Sequence, residues 1–200
     1  MKFNYDENPN TVKFWDYYYF KRKVERKSLW LFDTVLYYLK TFSKPDALEI
    51  GCGAGRTIIE LWKLKKDVNW TGLDFSATAI DKAIHKYGKY AKFTCQDIVV
   101  QARESDPVPQ YDFILCSETL EHISDPPLVC RHMWKMLRLG GIILITVPVA
   151  GTPLDTGKLN LHHITFVEQD FRDMFSRARV NVFQIDKHHM CAIIKKGESE

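Results

Sequence analysis

The sequence predicts an α/β protein: a doubly wound, seven-stranded, mainly parallel sheet with an antiparallel last strand, helices on both faces and a helical cap in front. Three observations predict it. From residue 45 onward, short apolar runs alternate with stretches of helical period, the pattern of parallel strands joined by helical crossovers. A glycine-rich turn, "LEIGCGAGR" at 48–56, closes the first apolar run and opens a helix. The last two apolar runs, "RVNVFQID" and "CAIIKK", lie too close together for a helical crossover, so they are expected to pair antiparallel.

The elements follow in order. Residues 1–44 form the cap, where Leu29, Phe32, Leu36 and Leu39 fall at helical spacing. "SKPD" then breaks the helix. Residues 45–200 form the main domain. "ALEIG" reads as a strand and "RTIIELWKLKK" as a helix. "WTGLDF" is a strand, and "SATAIDKAIHKYG" a helix with Ser76 as N-cap. "AKFTCQDI" and "YDFILCS" are strands. "PPLVCRHMWKMLRLGG" is a helix closed by glycine, "IILITVP" a strand and "VEQDFRDMFSRA" a helix before the final pair.

Composition excludes several classes. Two hundred residues with 46% hydrophobic content fit one core with a small appendage. A net charge of +3 is too small to argue for nucleic acid or a membrane surface. The start, "MKFNYDENPN", has no apolar leader core, and "GGIILITVPVAG" is too short to span a bilayer. The five cysteines form no CxxC, and Cys95 and Cys116 lie in apolar runs. They read as reduced, buried thiols of a cytoplasmic protein.

The glycine turn carries the first chemistry. Gly51, Gly53 and Gly55 let the backbone turn tightly and approach a ligand where a Cβ would clash. Asp74 ends the following strand, where a carboxylate can accept both hydroxyls of a ribose. Together they read as a nucleoside half-site. A dinucleotide fingerprint wants a third glycine where Arg56 stands, which argues against a nicotinamide oxidoreductase. Glu49 beside the loop would repel a pyrophosphate and could support a cationic amino-acid end.

At this point the chain resembles the class I S-adenosylmethionine (SAM) dependent methyltransferases, over nearly all of residues 45–200. The resemblance rests on "LEIGCGAG", "GLDFS", "CQDI", "YDFILCSETLEHISDP" and "LRLGGIILITVP", in the family's order. It implies a Rossmann-like fold and SAM as cofactor, with S-adenosylhomocysteine (SAH) as product. It implies that Gly51, Cys52 and Gly53 lie along the methionine end, with Ser117 near it. Asp74 would hold the ribose and Phe75 would lie beside the adenine. Asp97 would accept from the adenine amino group and Ile98 would donate its N–H. Asp97 can equally serve as a helix N-terminal acid.

"SETLEHISDP" sits at the carboxyl end of the fourth strand, where a methyl acceptor must arrive. In a regular helix Glu118, Glu121 and His122 would share a face. The stretch is similar to that of ubiquinone-type O-methyltransferases. It is also similar to the metal site of small-RNA 3′-end 2′-O-methyltransferases, which would need a further histidine; "LHHITF" offers His162 and His163. Three readings stay open: helix-start residues only; a metal-free positioning group or base at His122 or His163; or a divalent-metal site, which is not favoured. The Asn/Asp-Pro-Pro-aromatic motif of amine-methylating branches is absent.

The cap places Trp15, Tyr17, Tyr18, Tyr19 and Phe20 before a run of cations from Lys21 to Lys27. It reads as a lid whose cations could meet an acidic substrate, or as a helix packed on the sheet's flank. "AGTPLDTGKLN" reads as a second loop closing the site. The expectation is a SAM-dependent methyltransferase acting on a small-molecule acceptor, with oxygen as the favoured atom and nucleic acid disfavoured. The alternatives are a metal-dependent RNA-end methyltransferase and a non-catalytic SAM-binding partner protein.

Overall fold

The computed structural model describes residues 11–21, 29–104, 108–149 and 164–197. Its centre is a seven-stranded sheet. The strands in chain order are β1 (Asp46–Ile50), β2 (Asn69–Asp74), β3 (Lys92–Cys95), β4 (Tyr111–Ser117), β5 (Leu137–Pro148), β6 (Arg179–Gln184) and β7 (His189–Lys195), and the spatial order is β3-β2-β1-β4-β5-β7-β6. The pairs among β1 to β5 are parallel, and β7 runs antiparallel between β5 and β6. The strand order reverses in space between β1 and β4, which opens a crevice at their carboxyl ends.

Alternation along the central strands builds two cores. Phe113 and Leu115 of β4 and Ile142 and Leu144 of β5 face one side. There they meet α2 (Leu29–Leu39) through Leu31, Phe32, Val35 and Leu39, and α3 (Arg56–Leu64) through Ile58 and Leu61. Ile114, Cys116, Ile143 and Ile145 face the other side, against α6 (Pro126–Met136) and α7 (Glu168–Met174). A strand buried on both faces reads as a near-continuous apolar run, as "IILITV" does but for Thr146, whose hydroxyl is hydrogen-bonded to Ser117 and Glu118. Leu144 is fully buried. Leu144→Ala is therefore expected to cost about 2–5 kcal/mol in urea unfolding; a loss below about 1 kcal/mol would contradict this double burial.

Local signals set the helix starts. The Ser76 hydroxyl accepts from Ala79 N–H at 3.1 Å and begins α4 (Ala77–Tyr87). The Asp125 carboxylate accepts from Leu128 N–H at 3.1 Å, with Pro126 opening α6; proline there gives up only an amide that has no helical partner.

The structure corrects four expectations. β3 ends at Cys95, and the residues after "CQD" form a short helix, α5 (Ile98–Glu104), which no apolar period announced. Helix α6 stops at Met136, and "LRLGG" belongs to β5. The register of β4 against β5 shifts between Tyr111 and Phe113. Gly140, at φ 76°, takes the left-handed conformation that this irregularity needs. Cys95 is exposed, whereas Cys52, Cys116, Cys130 and Cys191 are buried; none of the five is in a disulfide. Burial pushes the Cys130 and Cys191 thiols up to about 12. Finally, Glu118, Glu121 and His122 do not form a helical face, as described below.

Candidate active site

The carboxyl ends of β1, β2 and β4 enclose a cavity of about 320 Å³, large enough for a cofactor-sized ligand. Its floor is the turn after β1. The N–H groups of Gly51 and Cys52 both donate to the Leu73 carbonyl, at 2.8 and 3.1 Å, which ties the turn to β2. Gly51 lines the cavity at φ 69°. Gly53 and Gly55 are also left-handed, and Gly55 precedes the first residue of α3. Cys52 and Glu49 are buried and, like Gly53 and Gly55, lie outside the lining.

Asp74, Phe75, Asp97 and Ile98 all line this cavity. The Asp74 carboxylate is 5% exposed, and its oxygens accept from Gly53 N–H at 2.8 Å and Ser76 N–H at 2.9 Å. Burial raises its pKa. The Ser76 and Gly53 amides pull it down, the nearby Asp16 charge pushes it up, and the net direction is up. Each oxygen keeps a second lone pair for a ligand hydroxyl. The Asp97 carboxylate accepts from Val99 N–H at 2.8 Å, so it starts α5 while it faces the cavity. The hydrogen bond is that of the helix-start reading of Asp97.

The stretch after β4 departs from a helix at its first glutamate. Glu118 has φ 53°, a left-handed conformation rare outside glycine. Its N–H donates to the Thr146 carbonyl at 2.9 Å, and its carboxylate accepts from the Thr146 hydroxyl at 2.9 Å. Ser117 is buried, with its hydroxyl 2.8 Å from that of Thr146, and does not line the cavity. Thr119 lines it instead. Leu120–His122 form a single 3₁₀ turn. Glu121 is 1% exposed, beneath His122, whose Nε2 lies 3.8 Å from Glu121 Oε1. Glu118 and His122 both line the cavity. Among the described residues, no group of three or more histidine, cysteine, aspartate or glutamate side chains is placed to hold a metal ion. His162 and His163, the "AGTPLDTGKLN" segment and the cations from Arg22 to Lys27 lie outside the described residues.

One histidine arrives that the sequence did not signal. His189 opens β7, its Nδ1 lies 3.0 Å from both Asp186 carboxylate oxygens, and its Nε2 lies 3.9 Å from Glu118 Oε2. No local motif marks it; strand pairing alone brings it to Glu118.

The cap helix α1 (Val12–Lys21) forms one wall. Trp15 and Tyr19 line the cavity, and the Trp15 ring meets the His122 ring edge-on at 5.1 Å. The Asp16 carboxylate accepts from the Ser76 hydroxyl at 2.5 Å and from Thr78 N–H at 3.1 Å. An anion there complements the N-terminus of α4. Lys82 donates to the Tyr19 carbonyl. Asp16→Ala is expected to loosen α1 and lower the melting temperature by a few degrees, corresponding to about 1 kcal/mol. It should also speed proteolysis within the first 44 residues; unchanged cleavage would show that this contact does not hold the helix.

Known proteins share this architecture. Residues 48–143 match the family model described as a methyltransferase domain. A curated relative, "Ubiquinone biosynthesis O-methyltransferase" of Aeromonas salmonicida (strain A449), is 30% identical over 100 residues, which are 50% of this chain and 41% of the relative. The chain thus matches less than half the length of that relative. Among solved structures, the plantazolicin methyltransferase BpumL, in complex with a monoazolic desmethylPZN analog and SAH, superposes with a TM-score of 0.68 at 19% identity, covering 84% of this chain and 82% of the other. The cyclase SpnF superposes with a TM-score of 0.69 at 16% identity, covering 84% and 81%. These structural likenesses carry the fold; a cyclase among them shows that the fold does not fix the reaction. The matched stretch, just under half of the chain, spans the glycine turn, Asp74, Asp97 and the Glu118–His122 rim, so the residues that build the cavity lie largely within the part of the chain that is similar to a methyltransferase domain.

Proposed function

We propose that this domain binds SAM in the cavity between β1, β2 and β4 and transfers its methyl group to an oxygen of a small-molecule acceptor. One observation carries the reading: a single cavity is lined by Gly51, Asp74, Glu118 and His122 together. The left-handed glycine lets Thr119 of the rim pack against the turn that lines the cavity, and the buried Asp74 offers acceptors for ribose hydroxyls. Those features fit the cofactor. When bound, SAM supplies an activated methyl group on sulfur.

The chain's own residues supply the rest. Trp15, Tyr19 and Phe75 line the cavity with rings that exclude water. The rim orients the acceptor toward the cofactor, and orientation of this kind contributes on the order of 7–11 kcal/mol to catalysis. His122 takes the proton of the acceptor hydroxyl, a role typically worth about 10²–10⁴-fold. The name of the curated relative supports oxygen as the acceptor atom. Helix α1, through Trp15 and Tyr19, acts as the cap of this site. The five cysteines, none of them in a disulfide, agree with a cytoplasmic setting, and no helix among the described residues is long and apolar enough to cross a membrane.

A label-transfer assay tests the reading. The protein is incubated with methyl-labelled SAM and cell extract separated into RNA, protein and small-molecule fractions, with magnesium or with chelator. Label in small molecules despite chelator is the expected result. Label in RNA, lost with chelator, would contradict both the acceptor class and the metal-free role of His122. His122→Ala should slow transfer by about 10²-fold or more while the melting-temperature shift on adding SAH persists. Unchanged transfer would make His122 scaffold.

A further inference from the structure

The cavity has a charge pattern that the chain as a whole does not share. The protein carries a net +3, yet no lysine or arginine among the described residues lines the cavity, and three carboxylates do: Asp74, Asp97 and Glu118. A fourth, Glu121, is buried behind His122. Lys82, the described cation that touches the cap wall, is turned to the Tyr19 carbonyl. An acidic lining in a net-basic chain is a local property of the site, and a cleft with low-dielectric walls focuses such a field.

Of the three lining carboxylates, Asp74 and Asp97 serve the cofactor in the proposed reading. Glu118 is left for the acceptor. Its side chain is 32% exposed, so it stands in the mouth rather than beneath it. A left-handed backbone, the Thr146 carbonyl and the Thr146 hydroxyl fix its position. A non-glycine residue held in this conformation stores strain that the surrounding structure must maintain, and here it keeps Glu118 in the cavity lining with its carboxylate between Thr146 and His189. Among the described residues, His189 is the cation-capable group within 4 Å of its carboxylate, and Asp186 faces that histidine from the other side. Two carboxylates about one imidazole leave the group with a net negative charge even when the imidazole is protonated.

We propose that the acceptor site selects by charge: it takes a neutral or cationic acceptor and turns away one bearing a carboxylate, sulfate or phosphate, with Glu118 as the deciding residue. This rests on the reading of the cavity as a joint cofactor and acceptor site. The cofactor's single net positive charge does not reverse the balance against three carboxylates.

The test uses three probes with the same dihydroxyphenyl ring: catechol, which is neutral; dopamine, a cation; and 3,4-dihydroxybenzoate, an anion. Binding of each to the full chain saturated with SAH is measured by calorimetry or ligand-observed NMR. Catechol and dopamine are expected to bind at least about tenfold more tightly than the benzoate at low salt, with the gap narrowing as salt rises. Glu118→Gln, which keeps an acceptor for Thr146, should shrink the dopamine-to-benzoate ratio severalfold. The proposal is overturned if the benzoate binds as well as catechol, if none of the three binds, or if Glu118→Gln leaves the ratio unchanged. Methyl transfer to catechol is followed separately. Binding in the predicted charge order without transfer would sink the oxygen assignment and leave charge selection standing.

Discussion

Asp74→Ala is expected to remove cofactor binding and to destabilise the apo protein at the same time. The side chain is 5% exposed and accepts from two backbone amides, Gly53 N–H and Ser76 N–H. Alanine leaves both amides without that acceptor, at about 1–3 kcal/mol for each buried group. The proposed ribose contacts are hydrogen bonds to a charged group, worth roughly 1.5–3 kcal/mol each, so their loss should weaken SAH by about 10²-fold or more. Calorimetry reads the affinity and urea unfolding reads the stability. SAH affinity equal to that of the parent protein would mean that Asp74 does not face the ligand.

The same residue gives a pH signature. Burial, partly offset by the two amides and reinforced by the Asp16 charge, lifts the Asp74 carboxyl above its ordinary value of 3.8. The folded state then holds the proton more tightly than the unfolded state. Its stabilising contribution is complete below the unfolded value and is lost as pH rises through the raised folded value. Asp74→Asn removes this component. In the apo protein, the stability of the variant relative to the parent should therefore climb as pH rises across that window, measured by urea unfolding at a series of pH values. A flat or falling difference would contradict the direction of the shift.

Gly51→Ala is the second large effect. The φ of 69° costs an L-residue about 1–2 kcal/mol. A Cβ there would also lie 2.2 Å from Thr119 Oγ1 and 2.9 Å from Thr119 Cβ. The threonine cannot clear that space by rotating a terminal atom, because its own Cβ is too close. The 3₁₀ turn that carries His122 must move with it. Loss of SAH binding and of methyl transfer is the expected outcome. Gly51→Ala combined with Thr119→Gly restores the space but not the dihedral cost, so it should recover SAH affinity in part. Full affinity in the single variant would show that the turn after β1 does not have this geometry.

Those two residues were legible in the sequence, and the reason is local. A strand, a glycine turn and an acid at the end of the next strand are set by neighbouring residues, and the alternation of "FILC" and "IILITV" fixes which strands are buried. The rim was not legible in the same way. Reading Glu118, Glu121 and His122 as one helical face assumed helical dihedrals throughout, and Glu118 breaks that assumption at φ 53°. Its conformation is held by Thr146 on β5, a partner that only the sheet register supplies. His189 is a stronger case: it reaches Glu118 because β7 inserts antiparallel between β5 and β6, and nothing in "DKHHM" announces that destination. The cap had two readings, lid and flank, and the structure divides them between its helices. Helix α2 packs in the core on the sheet's flank, while α1 walls the cavity and places Asp16 at the start of α4. Helix α5 escaped notice because it is short and follows a strand whose apolar run seemed to continue.

The measurement that bears most directly on the account is a calorimetric titration of the purified chain with SAH and, in parallel, with NAD. The account predicts one SAH bound per chain, a raised melting temperature in the complex, loss of both in Asp74→Ala, and no heat from NAD. Binding of NAD without SAH, or SAH binding that survives Asp74→Ala undiminished, would contradict it.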